Sequence, residues 1–319
     1  MSQPSLLVKN LSKRFIRDKR RPQSEPDAVS NLNFSILPGE CVAFLGANGA
    51  GKSTTIKMLC GILRPSSGEA LVSGHPAGSQ QANKILGLVF GTRSQLYLHM
   101  SVIQCFDLIA EIYYVTGSEK QNRIRELAQL FHVVDLLPRR VRTLSLGQRM
   151  RCELIAALIH RPRILLADEP TIGLDVVAKN QLRELIRRWQ QEEKTTLMLT
   201  SHDLSDVEAL CSRCILIDKG IKRFDGPLAE LKGDLSSIRR IQITTASADR
   251  GALPSQTRLK LLPSSESYVH HYELSTLELP ISEGLALLSS HYGDALQDIS
   301  ISEVTLEEVL GHIYSEYHV

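Results

Sequence analysis

No apolar run in this chain approaches the roughly 20 residues that a membrane-spanning helix requires; the longest, Leu154 to Ile159, stops far short. The first ten residues lack a charged stretch followed by an apolar one, so no secretory signal is expected. Cysteine is sparse at six residues in 319, too few for a disulfide scaffold, which favours a reducing cytoplasm. No internal repeat and no long coiled-coil insertion can be found. Nor is there compositional bias: 43% hydrophobic, 23% charged and 5% aromatic residues are globular values, which excludes disordered and collagen-like classes.

What is present begins with size. The length is about twice that of a typical domain, so one large domain and a smaller one are expected. Short apolar runs alternate with helical patterns through the first two-thirds. Val42 to Leu45, Ile164 to Ala167, Leu197 to Thr200 and Cys214 to Asp218 read as buried strands of a mostly parallel sheet. Leu182, Leu185, Ile186 and Trp189 recur at helical spacing among charged neighbours, as in an amphipathic helix packed on a sheet. Such alternation argues an α/β fold. Turn chemistry at Asp225-Gly226-Pro227 ends the pattern, and composition shifts after Gly233. Beyond it lie strand candidates at Arg240 to Thr244 and Gln297 to Ser302. A closing helix has a capping box of Thr305 with Glu308 and an apolar stripe of Leu306, Val309, Leu310 and Ile313. The division expected is 1–233 and 234–319, the latter a small α+β domain. Arg17 to Asp27, charged and holding two prolines, is expected to be an exposed loop.

Charge follows the same division. Residues 234–319 hold 5 basic and 12 acidic residues, a net −7, leaving 32 basic and 23 acidic, +9, in 1–233. The whole-chain value of +2 conceals a basic domain and an acidic one. A basic surface suits a polyphosphate ligand or an anionic membrane face.

The chemistry is concentrated in three places. Gly46-Ala47-Asn48-Gly49-Ala50-Gly51-Lys52-Ser53 fits G-x4-G-K-[ST], with Thr54 following, an apolar strand before it and a helical pattern after it. Glycines let successive backbone N–H groups turn inward on phosphate oxygens, Lys52 reaches the β- and γ-phosphates, and the Ser53 hydroxyl suits magnesium. Asp168-Glu169 ends an apolar strand, where Asp168 can hold magnesium and Glu169 can polarise an attacking water. His202 follows another apolar run; alone it carries little, but it comes third in the expected order of strand-end residues.

With those three elements in order, the chain resembles the ATP-binding cassette (ABC) ATPases over roughly residues 5 to 225. The resemblance extends to Leu144-Ser145-Leu146-Gly147-Gln148, which departs from the family signature LSGGQ only at Leu146, and to the D-loop Gly173-Leu174-Asp175. It implies a RecA-like core with a β subdomain and a helical signature subdomain. It further implies that Phe15 stacks on adenine, that Ser145, Gly147 and Gln148 act on nucleotide held by a partner cassette, and that His202 senses the γ-phosphate. Two copies, or one copy and a homologue, would close around two ATP-Mg. The chain looks most like nucleotide-binding subunits of bacterial exporters, whose transmembrane permease subunits are separate polypeptides, so a peripheral position on the cytoplasmic membrane face is implied. No nucleic-acid partner is expected. The alternatives are a soluble ABC ATPase acting on nucleic acid or ribosomes, and a nucleotide-gated module that does not hydrolyse ATP.

One departure from the family stands out. It expects a glutamine near Val89-Phe90, where this chain reads Gly91-Thr92-Arg93-Ser94-Gln95. Alignment from upstream gives Gly91, alignment from downstream gives Thr92, and Gln95 is a third candidate. Smaller signals carry bland expectations: Cys211 and Cys214 as buried structural thiols, His270-His271 as surface, and Phe106, Tyr113 and Tyr114 as core. Arg139, Arg140, Arg142, Arg149 and Arg151 surround the signature, read either as a solvated basic face or as a positive field at the dimer interface that helps hold triphosphate. An autoregulatory role for the C-terminal domain rests on its position alone.

Overall fold

The computed structural model describes residues 3–15, 27–91, 93–233, 237–246, 258–262, 268–304, 306 and 308–309. The chain forms two compact units, Met1–Leu228 and Ala229–Val319. Thr92, residues 17–26 of the expected loop, and Thr305, Leu310 and Ile313 of the expected closing helix lie outside the described residues.

Strands of the first unit are β1 (Leu6–Lys13), β2 (Val29–Ile36), β3 (Cys41–Leu45), β4 (Ser67–Val72), β5 (His75–Pro76), β6 (Leu86–Phe90), β7 (Ile164–Asp168), β8 (Thr196–Thr200), β9 (Arg213–Asp218) and β10 (Ile221–Pro227). Its helices are α1 (Lys52–Leu59), α2 (Gln80–Lys84), α3 (Val102–Ile112), α4 (Gly117–Leu130), α5 (Leu146–Leu158), α6 (Val176–Glu193) and α7 (Leu204–Leu210). The main sheet has the order β10-β9-β3-β8-β7-β6 and is parallel except for β10. β10 returns from β9 through Lys219-Gly220, both at positive φ, the geometry of a tight hairpin turn. All five residues of β7 and of β8 are buried, as expected of strands covered on both faces. A second, antiparallel sheet, β2-β1-β4-β5, shares a core with the first, where Phe34 meets Phe44 at 5.7 Å between ring centroids.

α6 presents Leu182, Leu185, Ile186 and Trp189 as its buried face, in the periodicity of the sequence. α3 and α5 each begin in a full capping box, Ser101 with Gln104 and Ser145 with Gln148, which satisfies backbone donors at both helix starts. Phe106 is core, but Tyr114 is exposed, and Tyr113 stacks on His160 at 3.7 Å rather than joining the core. Cys211 and Cys214 are buried free thiols whose pKa values burial pushes up, so they are inert packing residues.

In the second unit α8 (Leu228–Lys232) leads to β11 (Ile238–Thr245), β12 (Leu259–Leu262), β13 (Val269–Ser275), α9 (Ile281–Tyr292) and β14 (Leu296–Glu303). The sheet is antiparallel in the order β12-β13-β11-β14. Ile241, Ile243, Tyr272 and Leu274 pack against Leu288 and Tyr292 of α9, where the two tyrosine hydroxyls hydrogen-bond at 2.6 Å. His270 is half-buried and stacks on Tyr292 at 5.2 Å, unlike the surface residue expected, because it shares the face of β13 that α9 covers. Leu306 and Val309 of the closing segment are buried.

Trp189, the last residue of the buried face of α6, is 1% exposed. Trp189→Ala is expected to lower unfolding free energy by about 3–5 kcal/mol, measured by urea denaturation.

Candidate nucleotide site

A parallel sheet gathers polar chemistry beyond the carboxyl ends of its strands. Here β3 runs into the glycine loop, β7 into Asp168-Glu169 and β8 into Ser201-His202, and these strands are adjacent in the sheet. The glycine loop turns sharply into α1. Gly51 has φ +107°, and a Cβ there would lie 2.6 Å from the Ala28 carbonyl oxygen, so no other residue fits without strain. No side chain caps the start of α1, which leaves its N–H groups for an anion. Ala50 N–H donates to the Ala47 carbonyl at 3.1 Å, and the Ala50 carbonyl accepts from Gly220 at 3.0 Å, which fixes the loop's path.

Lys52 is buried and folds back over its own loop, donating to the carbonyls of Gly46 at 2.6 Å and Ala47 at 3.2 Å. Burial lowers its pKa while the charges of Glu169 and Asp168 oppose the shift, so the three groups share one electrostatic site. Phosphate oxygens make stronger, charge-assisted acceptors than these carbonyls.

Asp168 Oδ1 accepts from the Thr200 hydroxyl at 2.6 Å, and Oδ2 takes no hydrogen bond among the described residues. Ser53 stands exposed at the first turn of α1. One hydroxyl and one carboxylate oxygen are the donor set with which magnesium binds beside phosphates and water, so these residues fit that ion.

Glu169 adopts φ +57°, uncommon for a residue with a side chain. Its N–H donates to the Thr200 carbonyl at 3.1 Å and hydroxyl at 3.2 Å, so β8 holds the conformation. Its carboxylate accepts from the His202 backbone N–H at 3.1 Å and lies 3.3 Å from His202 Nε2. Burial raises the Glu169 pKa, while His202 and Lys52 pull it down.

Lys52, Asp168, Glu169 and His202 are thus brought together. The signature is elsewhere. Ser145, Leu146, Gly147, Gln148, Gly173 and Asp175 help line a separate cavity of about 510 Å³, in whose lining no phosphate-loop residue takes part. The Gln148 side chain accepts from Ser145 N–H at 3.0 Å and braces the helix start. Asp175 caps α6 by accepting from Ala178 N–H at 2.8 Å. The unusual Leu146 packs on Gly173, where a Cβ would meet its methyl at 3.0 Å. Phe15 is 42% exposed, with Lys13 Nζ 5.4 Å from its ring centroid.

A family model described as ABC transporter matches residues 29–172. The ABC transporter ATP-binding protein NatA of Bacillus subtilis (strain 168) is 35% identical over 228 residues, 71% of this chain and 91% of NatA. This chain belongs to the ABC transporter ATP-binding proteins. Solved ABC structures share the fold. CbiO1 from Clostridium perfringens, part of the ABC transporter complex cbiONQ, aligns over 72% of this chain and 91% of its own at 27% identity, with a TM-score of 0.62. The cassette MJ0796, in a dimeric post-hydrolysis state bound to ADP and Pi, aligns over 70% and 98% at 24% identity, also with a TM-score of 0.62. As an ABC cassette the chain binds ATP and is an ATPase subunit of a transporter. No helix among the described residues is long and apolar enough to cross a membrane.

Several participants were not legible as site residues. Thr200 holds the Asp168 carboxylate and the Glu169 backbone. Asp206, fully buried, accepts from Thr171, from Ser201 at 2.6 Å and from Arg183 at 2.5 Å, tying together the segments that carry Glu169 and His202. Only the polar run Thr200-Ser201 before His202 hints at this.

Gly91 fills its position by close approach. Its N–H donates to the Asp168 carbonyl at 2.8 Å, and a Cβ would fall 1.9 Å from the Glu169 carbonyl oxygen. Gly91→Ala, and equally Gly91→Gln, must therefore displace the Glu169 backbone. A shift of about 1 Å at a reacting group costs about 100-fold in rate; a phosphate-release assay is expected to show that loss while ATP binding persists.

Proposed function

We propose that this chain is the energy-coupling subunit of an exporter, closing as a dimer of cassettes around two ATP-Mg at the cytoplasmic membrane face, with separate transmembrane permease subunits carrying the substrate. The observation that carries the reading is the meeting of Lys52, Asp168, Glu169 and His202 at the ends of adjacent strands. Residues 1–233 are assigned this work and 234–319 an accessory role. The signature's separation from the phosphate loop supports a dimer, since each signature must then act on nucleotide bound by another cassette.

In this reading Gly46, Ala47, Asn48, Gly49, Ala50 and Gly51 surround the phosphates, with Ser53 and Thr54 beginning the helix beneath them. Lys52 leaves its two loop carbonyls for the β- and γ-phosphates. Ser53 and Asp168 hold magnesium, which when bound neutralises developing phosphate charge. Glu169 accepts a proton from water attacking the γ-phosphorus, and His202, fixed against the same carboxylate, contacts the γ-phosphate. Ser145 and Gly147 approach from the partner cassette, with Gln148 bracing them and Asp175 close by. Phe15 stacks on adenine, as its exposed ring permits.

Glu169→Gln is expected to bind ATP normally, to lose at least about 100-fold in turnover, and to accumulate as an ATP-bound dimer on size-exclusion chromatography. Hydrolysis at the parent rate would reject Glu169 as the base. The raised Glu169 pKa adds a pH signature. A base must be deprotonated to act, so turnover rises with pH through that pKa. Its acid limb lies above that of an ordinary glutamate, and the pH profile of kcat measures this.

A further inference from the structure

The loop after β6 is fastened to the signature helix at a point that the reaction itself does not use. Glu153 lies on α5 beyond the signature, 3% exposed, and no salt bridge holds it among the described residues. Its carboxylate accepts from the Ser94 hydroxyl and from Gln95 N–H at 3.0 Å. Gln95 reciprocates: its amide Nε2 donates to the Glu153 main-chain carbonyl at 2.9 Å and, more weakly, to Leu88 at 3.5 Å. Ser94 and Leu96 close a tight turn, with Leu96 N–H donating to Ser94 Oγ at 3.1 Å.

A buried carboxylate satisfied only by hydrogen bonds from one short segment makes a rigid joint, because every lost donor leaves a desolvated charge behind. The joint connects two parts of the site. Upstream, the loop begins at Gly91, bonded to the Asp168 carbonyl and pressed on that of Glu169. Downstream, α5 is one unbroken helix from Leu146 to Leu158 with Ser145 as its cap.

We propose that Glu153 is a positioning residue that clasps the 94–96 turn, so that the signature helix moves together with the strand ends carrying Asp168 and Glu169. The proposal rests on the reading of Ser145 and Gly147 as γ-phosphate contacts. It also gives Gln95 a part: its amide is spent on α5, binding the loop to the signature helix.

The test uses the full chain with Glu153→Gln, and Ser94→Ala as the milder variant should the first fold poorly. Three quantities are measured: affinity for a fluorescent ATP analogue, phosphate release, and hydrogen exchange of the segments around 93–97 and 145–153 with and without ATP. Parent protein is expected to gain protection in both segments together on adding ATP. Glu153→Gln should keep nucleotide affinity within twofold, lose at least tenfold in turnover, and no longer protect the two segments jointly. Ser94→Ala should lose about threefold in turnover and show the same uncoupling more weakly. Parent-like turnover with joint protection in both variants overturns the clasp. So does a fall in nucleotide affinity that matches the fall in turnover, since that marks a merely structural residue. Glu169→Gln run alongside separates the two readings: turnover surviving in that variant rejects the base assignment, whereas joint protection lost only in the Glu153 and Ser94 variants still supports the clasp.

Discussion

A wholly buried strand that ends in two consecutive carboxylates sets the terms for the rest of this molecule. β7 is apolar because it lies between β8 and β6 under helices, and Asp168 and Glu169 inherit its desolvation. Unpaired charge in such a place is costly, so the neighbours are arranged to supply partners. Thr200 of β8 donates to one carboxylate and fixes the backbone of the other. His202, beyond the same strand, offers its N–H and ring, and Lys52 brings positive charge from the glycine loop. None of these partners is near β7 in sequence. The order of strands in the sheet brings them together, so the topology is itself a condition of the chemistry.

The same constraint runs outward. Glu169 takes a left-handed backbone, which brings its carbonyl against Gly91 at the end of β6. Asp206 then ties the segments after β7 and β8 to α6 through Arg183. Asp168, Glu169 and His202 therefore sit in a frame with little slack, whereas the 144–148 segment, lining its own cavity, is internally braced by a capping box.

Much of this was legible in the chain. Strands β3, β7, β8 and β9 are short apolar runs, and the α6 stripe is a plain helical period. The glycine loop is recognisable because only a few residue types can curl around phosphate. What could not be read has physical reasons. Thr200, Asp206 and Glu153 are ordinary polar residues whose importance comes from partners 32, 35 and 58–59 positions away. The family's glutamine position could fall at Gly91, Thr92 or Gln95 by sequence; in the fold Gly91 is a close contact with Glu169 and Gln95 donates to α5. His270 looked exposed because the accessory domain around it is polar, but strand alternation turns it under α9. Tyr114 failed in the opposite sense, since a helix end exposes what its middle would bury.

The lone tryptophan carries a consequence for anyone watching this protein in solution. Trp189 is buried on α6 in the cassette, and the acidic unit contains tyrosines but no tryptophan. Red-edge excitation therefore lights one unit alone. The hydrogen-bonded Tyr272–Tyr292 pair contributes to near-ultraviolet absorption and dichroism from the other unit. The tryptophan is thus a label that the cassette carries by composition, and the melting of that unit can be followed without a dye.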